Sequence, residues 1–154
     1  MYREMRRNDK QMDMDETKSL LRDAQVGRLA MSKDDKPYVV PITFVYFKEK
    51  IYFHCAREGQ KSDYLATNSR ICFEVDEFLG VIKGRTPCTS TVKYRSVIAF
   101  GKAAFIEDVD LKKEALRRLV KKYGGASGSF NEGTFERTLL VAIAVERMTG
   151  KQSL

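Results

Sequence analysis

The segment RLAMSKDDKPYVVPITFVYFKEKIYFHCA, residues 28–56, decides the fold class, because it contains three strand-like runs in close succession. The runs RLAMSK, KPYVVPITFVYF and KIYFHCA are short and rich in Val, Ile, Tyr and Phe, which is typical of β-strands. The residues between them, DDK and KEK, are turn-forming. We therefore predict an antiparallel meander of three strands joined by tight hairpins.

Pro41 interrupts the middle run, and a proline cannot donate a hydrogen bond to a sheet. A proline in a sheet lies at an edge, at a strand start or at a bulge. The apolar residues on both faces of the run favour a bulge inside one long strand, and bulges often lie beside active sites. A proline that protects an edge strand explains the same residue equally well, so both interpretations stay open.

The segments on either side extend this pattern to the whole chain. Asp13 and Glu16 have the spacing of a capping box and predict a helix near residues 14–24, which Gly27 ends. After the hairpins, we predict a short helix in REGQKSDYLATN and a strand in RICFEVDEF, whose Ile71, Phe73 and Val75 face inward. A loop over 79–89 leads to a long strand over 90–107, which is expected to bend at Gly101. A helix over 108–123 and a last strand in TLLVAIAVERMTGK complete the chain. Six strands and about three helices, without the alternation of a parallel sheet, indicate a mainly β, α+β fold or a β-barrel.

Composition bounds the function classes. The 154 residues are predicted to form one domain, 1–154, of which residues 1–12 are a flexible N-terminal segment. No apolar run is long enough to cross a bilayer, and the charged N-terminus lacks a secretory signal, so a cytoplasmic location without membrane contact is expected. The net charge of +7 suits a small anionic ligand. Because the basic residues are scattered among acids, nucleic-acid binding is not favoured.

Side chains alone offer little for catalysis. His54 is the only histidine, and the GxSxG, HExxH and Walker motifs are absent. The three cysteines, Cys55, Cys72 and Cys88, are widely spaced, which argues against disulfides and a zinc site. We therefore predict no metal, and chemistry without suitable side chains is commonly carried by an organic cofactor.

The stretch IYFHCAREGQKSDYLATN, residues 51–68, predicts an anion site. It runs from a strand through a glycine turn into a helix, and a helix N-terminus favours an anion. Gly59 permits an unusual backbone angle, Lys61 and Ser62 lie in the first turn, and Arg57 adds charge nearby. A solvated loop with ordinary capping is the alternative.

A second candidate is VKYRSVIAFG, residues 92–101. Strand alternation puts Lys93, Arg95 and Val97 on one face. Cations that project from an apolar neighbourhood need a partner. An acidic ligand or a facing carboxylate would serve, and a surface salt bridge is the alternative.

The chain also resembles a known family. The succession VGRLAMS, PYVVPITFVYFKEKIYFHCAREGQKSDYLATNSRICFEVD, YRSVIAFGKAAFIED and ERMTGKQS covers residues 15–152. In order and spacing it is similar to the nitroimidazole-reductase (Nim) branch of the pyridoxamine 5′-phosphate oxidase-like superfamily of FMN-binding split barrels. The resemblance implies a six-stranded antiparallel split β-barrel with flanking helices, and a homodimer with FMN at the interface.

The resemblance also implies a set of cofactor contacts. The residues that it assigns to FMN are Pro41, Ile42 and Thr43 at the ring, His54, Cys55 and Ala56 at the ring and ribityl chain, Gly59, Gln60 and Lys61 at the phosphate, and Arg95, Ser96 and Val97, from the same chain or its partner, to complete the site. The motif that binds pyridoxal in true pyridoxamine phosphate oxidases has no clear match, so oxidation of vitamin B6 is not expected.

The implied function is that of an FMN-dependent oxidoreductase. NAD(P)H or another donor would supply electrons, and a small acceptor such as a nitroaromatic would receive them. His54 would orient the substrate or donate a proton, unless it only packs against the cofactor. A non-catalytic flavin-binding or sensing protein and a basic nucleic-acid-binding barrel are the alternatives, and FAD, heme or a deazaflavin in place of FMN stays open.

Overall fold

A computed structural model describes residues 2–154 and shows a seven-stranded antiparallel sheet with four α-helices. The helices are α1 (Met14–Asp23), α2 (Gln60–Thr67), α3 (Val109–Lys122) and α4 (Glu132–Arg137). The strands are β1 (Gly27–Lys33), β2 (Lys36–Ile42), β3 (Val45–Phe47), β4 (Lys50–Ala56), β5 (Arg70–Ile82), β6 (Thr91–Ile106) and β7 (Thr138–Ser153). Within residues 2–154, no helix is both long enough and apolar enough to span a membrane.

The sheet closes into a barrel through a link of two residues. The strand order is β2-β1-β5-β6-β7-β4-β3, so β2 and β3 lie at opposite edges. They are nevertheless consecutive in the chain, because only Thr43 and Phe44, here called the closing link, separate Ile42 from Val45. Three residue steps span at most roughly 11 Å, so the two edges must approach each other and the sheet must curl. The predicted split barrel is confirmed, with seven strands rather than six.

The seventh strand arises where one long strand was predicted. The single strand over residues 36–47 is wrong, because the chain passes from one edge of the sheet to the other at the closing link. Pro41 lies opposite Arg28 in an unbroken register on the edge strand β2. The bulge interpretation of Pro41 is therefore wrong, and the edge interpretation is right: the missing N–H of proline costs no ladder hydrogen bond there.

The two tight hairpins are confirmed, although they do not form a meander, because β2 and β3 do not pair. Asp34 and Asp35 connect β1 to β2 with φ of 49° and 58°. Lys48 and Glu49 connect β3 to β4 with φ of 49° and 60°. Two successive positive φ values are the signature of a type I′ turn, whose twist matches that of the flanking strands.

Strands β5 and β6 continue as a two-stranded ribbon. The loop predicted over residues 79–89 is wrong in its first part, because β5 extends to Ile82 and pairs with the start of β6. The register shifts once, between Phe78 and Gly80. We call residues 78–93 the ribbon.

Strand β6 bends near Gly101, as predicted. Phe100 lies opposite Arg147, whereas Gly101 lies opposite Val145, so β7 carries one extra residue at this point. A Cβ on Gly101 would come within 2.2 Å of the Ala144 carbonyl oxygen. The two backbones therefore approach as closely as only glycine allows, and the bulge bends the sheet.

Aromatic and aliphatic side chains fill the barrel. Phe44, Phe53 and Phe73 are fully buried, and the rings of Phe44 and Phe73 meet edge to face with centroids 4.9 Å apart. The predicted alternation along β5 is confirmed, because Ile71, Phe73 and Val75 are all buried.

The two long helices begin at aspartate caps. The Asp13 carboxylate accepts a hydrogen bond from the Glu16 N–H at 2.8 Å, and Asp108 accepts one from the Leu111 N–H at 2.8 Å. Of the N-terminal segment predicted to be flexible, residues 1–12, Met1 lies outside the described residues. The remainder lies across β6 and β7 and includes the buried Met12.

The C-terminal end of α3 holds the closing link. The Lys122 ammonium donates to the carbonyl oxygens of Ala24, at 2.6 Å, and Phe44, at 3.1 Å. The Tyr123 hydroxyl donates to the Gln25 carbonyl at 2.8 Å and accepts from the Phe44 N–H at 3.1 Å. Burial lowers the pKa of Lys122 to about 8. These contacts pair the backbone of the link, which no neighbouring strand pairs.

Candidate functional site

The junction between β4 and α2 presents unpaired backbone N–H groups. Gly59 occupies the N-cap position of α2 with φ of 135°, and no side chain caps the helix. In the described part of the chain, the N–H groups of Gln60, Lys61 and Ser62 donate to no acceptor. The Ser62 hydroxyl already donates to the Gly59 carbonyl at 2.8 Å. The junction therefore offers an anion three backbone donors at a helix N-terminus.

Lys61 adds a positive charge to this helix N-terminus. Its ammonium lies 5.9 Å from the centroid of the Phe53 ring. It forms no ion pair with any of residues 2–154. The side chain is thus available to an anionic ligand that reaches the junction.

His54 and Cys55 are adjacent on β4 but face opposite sides of the sheet. His54 is exposed, and Cys55 is buried. Partial burial, and secondly the Lys61 ammonium, lower the pKa of His54, so its imidazole is neutral at pH 7 and can both donate and accept a hydrogen bond. Burial raises the pKa of the Cys55 thiol, although Lys61 opposes the effect. Cys55 is therefore a protonated thiol and a poor nucleophile.

An open groove of about 530 Å³ lies beside His54. The residues that line it are His54, Cys55, Ala56, Arg57, Glu58, Thr134, Arg137 and Thr138. The pairing of Ala56 with Thr138 brings α4 to the end of β4. The Arg57 guanidinium donates to the Glu136 carbonyl from Nε at 2.9 Å and from Nη2 at 2.6 Å. Arg57, predicted to add charge at the anion site, therefore ties the wall of the groove to α4.

Residues 41–43 lie across the split of the barrel from His54. The pairing of β3 with β4 ends at Val45 and Tyr52. Thr43 and His54 each lie two residues beyond that last pair, on the two sides of the split. The first and third of residues 41–43 are exposed, and the second is buried.

Helix α2 spans the same split. Its Tyr64 ring packs on Tyr38 of β2, with centroids 5.2 Å apart, while Lys61 reaches Phe53 of β4. The helix N-terminus, His54 and the backbone before the closing link therefore lie on elements that border this split. Nine of the twelve predicted cofactor residues, those between 41 and 61, lie on these adjoining elements, and of the nine only His54, Cys55 and Ala56 line the groove.

Residues 95–97 lie far from this split within one chain. Ser96 is opposite Lys151 on β7, whereas His54 is opposite Leu140, eleven residues earlier. At about 3.3 Å per residue, this is roughly 36 Å along the strand. One chain therefore does not bring both groups to the same small ligand.

The faces predicted for residues 95–97 are confirmed. Arg95 donates from Nη2 to its cross-strand neighbour Glu77 at 2.8 Å, and because both side chains are partly exposed, this facing carboxylate forms the surface salt bridge that was the alternative. Its Nε is buried and, among residues 2–154, has no acceptor. Val97 is buried, whereas Ser96 faces outward. Arg95 thus retains one unsatisfied donor.

Sequence reasoning missed the groove residues Thr134, Arg137 and Thr138. They reach His54 only through the pairing of β4 with β7, which joins segments distant in sequence. Asn131, which caps α4 by accepting from the Thr134 N–H at 3.1 Å, was the one local signal. In the part of the chain that the structure describes, no cluster of His, Cys, Asp or Glu could hold a metal ion.

Comparison with known proteins identifies relatives. The family model described as pyridoxamine 5′-phosphate oxidase matches residues 13–152. An uncharacterized protein of Rhizobium meliloti, RA0666, is 28% identical over 91 residues. That match covers 59% of this chain and 53% of the relative, so it spans about half of the relative's length.

Crystal and other experimental structures show the same fold. A protein from Bacteroides thetaiotaomicron, named for 5-nitroimidazole antibiotic resistance, is 26% identical, with a TM-score of 0.80 over 92% of this chain and 86% of the other. The flavocytochrome Anf3 from Azotobacter vinelandii is 20% identical, with a TM-score of 0.85 over 97% and 72%. A protein from Mycobacterium smegmatis that binds FAD and heme is 22% identical, with a TM-score of 0.85 over 94% and 73%. The last two similarities concern the fold alone.

Proposed function

This chain belongs to the pyridoxamine 5′-phosphate oxidase family, and on that premise we propose that it is an FMN-binding oxidoreductase that acts as a homodimer. NAD(P)H or another donor supplies electrons, and a small molecule such as a nitroaromatic accepts them. The junction of β4 and α2, where three unpaired N–H groups lie beside Lys61 and the His54 groove, is the observation that carries the proposal.

The junction has the donors that a phosphate monoester requires. Such a phosphate carries nearly two negative charges at pH 7. The N–H groups of Gln60, Lys61 and Ser62 and the Lys61 ammonium can bind it through charge-assisted hydrogen bonds. Gly59 begins the helix with a φ of 135°, at which most residues other than glycine would be strained.

The opposite side of the split suits a flat ring. Residues 41–43 offer a proline face, a buried isoleucine and an exposed threonine hydroxyl, and the exposed Ala56 leaves space beside His54. The flavin supplies the redox chemistry when bound. The neutral His54 imidazole orients a substrate by hydrogen bonding, or donates a proton to it.

A second copy of the chain completes this site. Residues 95–97 cannot reach the His54 groove of their own chain, but in a two-fold symmetric dimer they can lie at the groove of the other copy. Arg95, with its unsatisfied Nε, then places a cation at the ligand. The dimer has two equivalent sites, each built from both chains.

Flavin binding tests the phosphate assignment. Purified protein is titrated with FMN and with riboflavin, which lacks the phosphate, and any chromophore that it carries is identified by mass. Lys61→Ala should weaken FMN binding about 10- to 150-fold, the equivalent of one charged hydrogen bond, and should leave riboflavin binding unchanged. Lys36→Ala, at the exposed start of β2, is the control. Equal losses for both ligands, or tighter binding of FAD than of FMN, would contradict the assignment.

Mixed dimers test the shared site, and turnover tests catalysis. Lys61→Ala and Arg95→Ala chains, each defective alone, should regain one wild-type FMN site per mixed dimer. No recovery would show that each chain builds its own site. Anaerobic oxidation of NAD(P)H with an added nitroaromatic identifies an enzyme, whereas a bound but unreactive flavin identifies a storage or sensing protein.

A further inference from the structure

A separate hollow of about 360 Å³ lies between the end of α3 and the segment that follows it. Arg117, Val120 and Lys121 of α3 line it on the helix side, and residues 125–128, together with Phe130, form the rest of its lining. The hollow shares no lining residue with the His54 groove. Its volume lies within the range of small-molecule sites, about 300–1,000 Å³.

Two cations in this hollow have no acidic partner. Arg117 and Lys121 form no ion pair with any of residues 2–154. The neighbouring Arg118, in contrast, pairs with Glu114 at 2.9 Å. Because Arg117 and Lys121 are four residues apart on one helix, their like charges destabilise α3. An anion bound between the two side chains would offset that repulsion.

Capping of α3 does not account for the two cations. Basic side chains near a helix C-terminus commonly bind its free carbonyl groups. Here the carbonyls of Leu119, Val120 and Lys121 already accept hydrogen bonds from the N–H groups of residues 123–125. The backbone itself therefore satisfies this end of the helix, and the side chains of Arg117 and Lys121 stay available to a ligand.

The segment after α3 offers backbone donors to the same hollow. The N–H groups of Ala126, Ser127 and Gly128 donate to no acceptor in the described part of the chain. Gly128 has a φ of 143°, at which most other residues would be strained. A Cβ on Gly125 would come within 2.9 Å of the Val120 side chain, so the segment packs closely on the helix. Successive free N–H groups beside cations are the donors that an anion requires.

The remaining lining of the hollow is apolar. Val120 and Phe130 are half-buried, and the Phe130 ring stacks on Phe135 with centroids 5.8 Å apart, which fixes its position. Of the described residues that line the hollow, none is acidic. Glu132 and Glu136 line an adjoining hollow of about 320 Å³. The cations therefore lie beside an apolar surface that a flat ring can cover.

We propose that this hollow is a second ligand site and that it binds a small aryl phosphate. The phosphate lies at Arg117, Lys121 and the free N–H groups of residues 126–128, and the ring lies against Val120 and Phe130. A phosphate monoester has three terminal oxygens and nearly two charges. It therefore matches two cations and three N–H donors better than a carboxylate, which has two oxygens and one charge. The proposal does not depend on the proposed function, because none of these residues lies at the split beside His54.

Amide NMR of the full chain tests where the ligand binds. Titration with phenyl phosphate should shift the amide resonances of residues 126–128 along one saturation curve. The amides of residues 60–62, at the junction of β4 and α2, report separately on any binding there. Shifts confined to residues 60–62, or no saturable shift at residues 126–128, overturn the proposal.

Charge-removing variants test the phosphate contacts. Arg117→Gln combined with Lys121→Gln should weaken the binding of phenyl phosphate about 10-fold or more, as expected when charged hydrogen bonds are lost. Lys83→Gln combined with Lys93→Gln, which removes two charges from the exposed ribbon, is the matched control and should bind as the wild type does. Equal losses in the two double variants would reveal a general charge effect and would overturn the site.

The apolar part of the site needs its own test. Inorganic phosphate should bind at residues 126–128 more weakly than phenyl phosphate, because it leaves the apolar wall uncovered. Ala126→Leu fills the hollow with both cations in place and should abolish the saturable shifts. Equal affinity for the two ligands, or wild-type affinity in Ala126→Leu, overturns the proposal. Either failure leaves the proposed function intact, since flavin binding is measured at other residues.

Discussion

Removing the Tyr123 hydroxyl should destabilise the barrel by releasing the closing link. In Tyr123→Phe the ring keeps its place, but the Phe44 N–H loses its acceptor at 3.1 Å. Phe44 is fully buried, so water does not replace that acceptor. The Phe44 carbonyl keeps the Lys122 ammonium, at 3.1 Å, as a donor. The Tyr123→Phe variant therefore leaves one buried donor, the Phe44 N–H, without an acceptor.

The expected loss in the free energy of unfolding is about 1–3 kcal/mol, the cost of an unsatisfied buried donor. For a domain of this size, each kcal/mol lowers the melting temperature by roughly 2–4 °C, so a loss of about 2 kcal/mol corresponds to roughly 4–8 °C. Urea denaturation at a fixed protein concentration should show a lower midpoint with an unchanged m-value. The concentration must be fixed, because dimerisation contributes to the apparent stability.

Tyr52→Phe is the matched control for this experiment. Tyr52 is also buried, and its hydroxyl forms no hydrogen bond with any of residues 2–154. It should change the free energy of unfolding by less than about 0.5 kcal/mol. If Tyr123→Phe were as stable as this control, the hydroxyl would not hold the link, and the account of how the barrel closes would be refuted.

Two further predictions concern titration. Because His54 is the only histidine, its NMR titration should give one curve, with a midpoint below the ordinary pKa near 6.5. Lys61→Ala should raise that midpoint, because it removes the second cause of the lowered pKa, the Lys61 charge. An unchanged midpoint would show that the Lys61 ammonium does not act on the His54 imidazole. The pKa of Lys122 is lowered to about 8, so between pH 8 and 10 the folded chain binds fewer protons than the unfolded chain, and the free energy of unfolding should rise with pH relative to Lys122→Met. A difference between wild type and variant that is flat over this range would contradict the lowered pKa.

The local parts of the fold were predictable from the sequence, because their causes lie within a few residues. The caps Asp13 and Asp108 bond the first turn of their own helices. The alternation of Ile71, Phe73 and Val75 follows from the pleat of one strand. The turn between β4 and α2 was predictable for the same reason, since Gly59 and the start of the helix determine it.

The errors occur where distant segments decide the structure. The run VVPITFVYF has uniform strand propensity, and nothing within it shows that the chain changes sheet edge at Thr43. The glycines and Pro87 in residues 79–89 suggest a loop, but pairing with β6 extends β5 to Ile82. The groove wall from α4 was missed for the same reason, because pairing of Ala56 with Thr138 is non-local.

The closing link also sets an order of events during folding. The hairpins on its two flanks, β1–β2 and β3–β4, use local contacts and can form in about 1–10 μs. They start two residues apart but end at opposite edges of the sheet, so β5, β6 and β7 must be inserted between them. A nascent chain therefore carries two unpaired edges until β7 has left the ribosome, and in this interval it is most exposed to aggregation through edge-to-edge pairing.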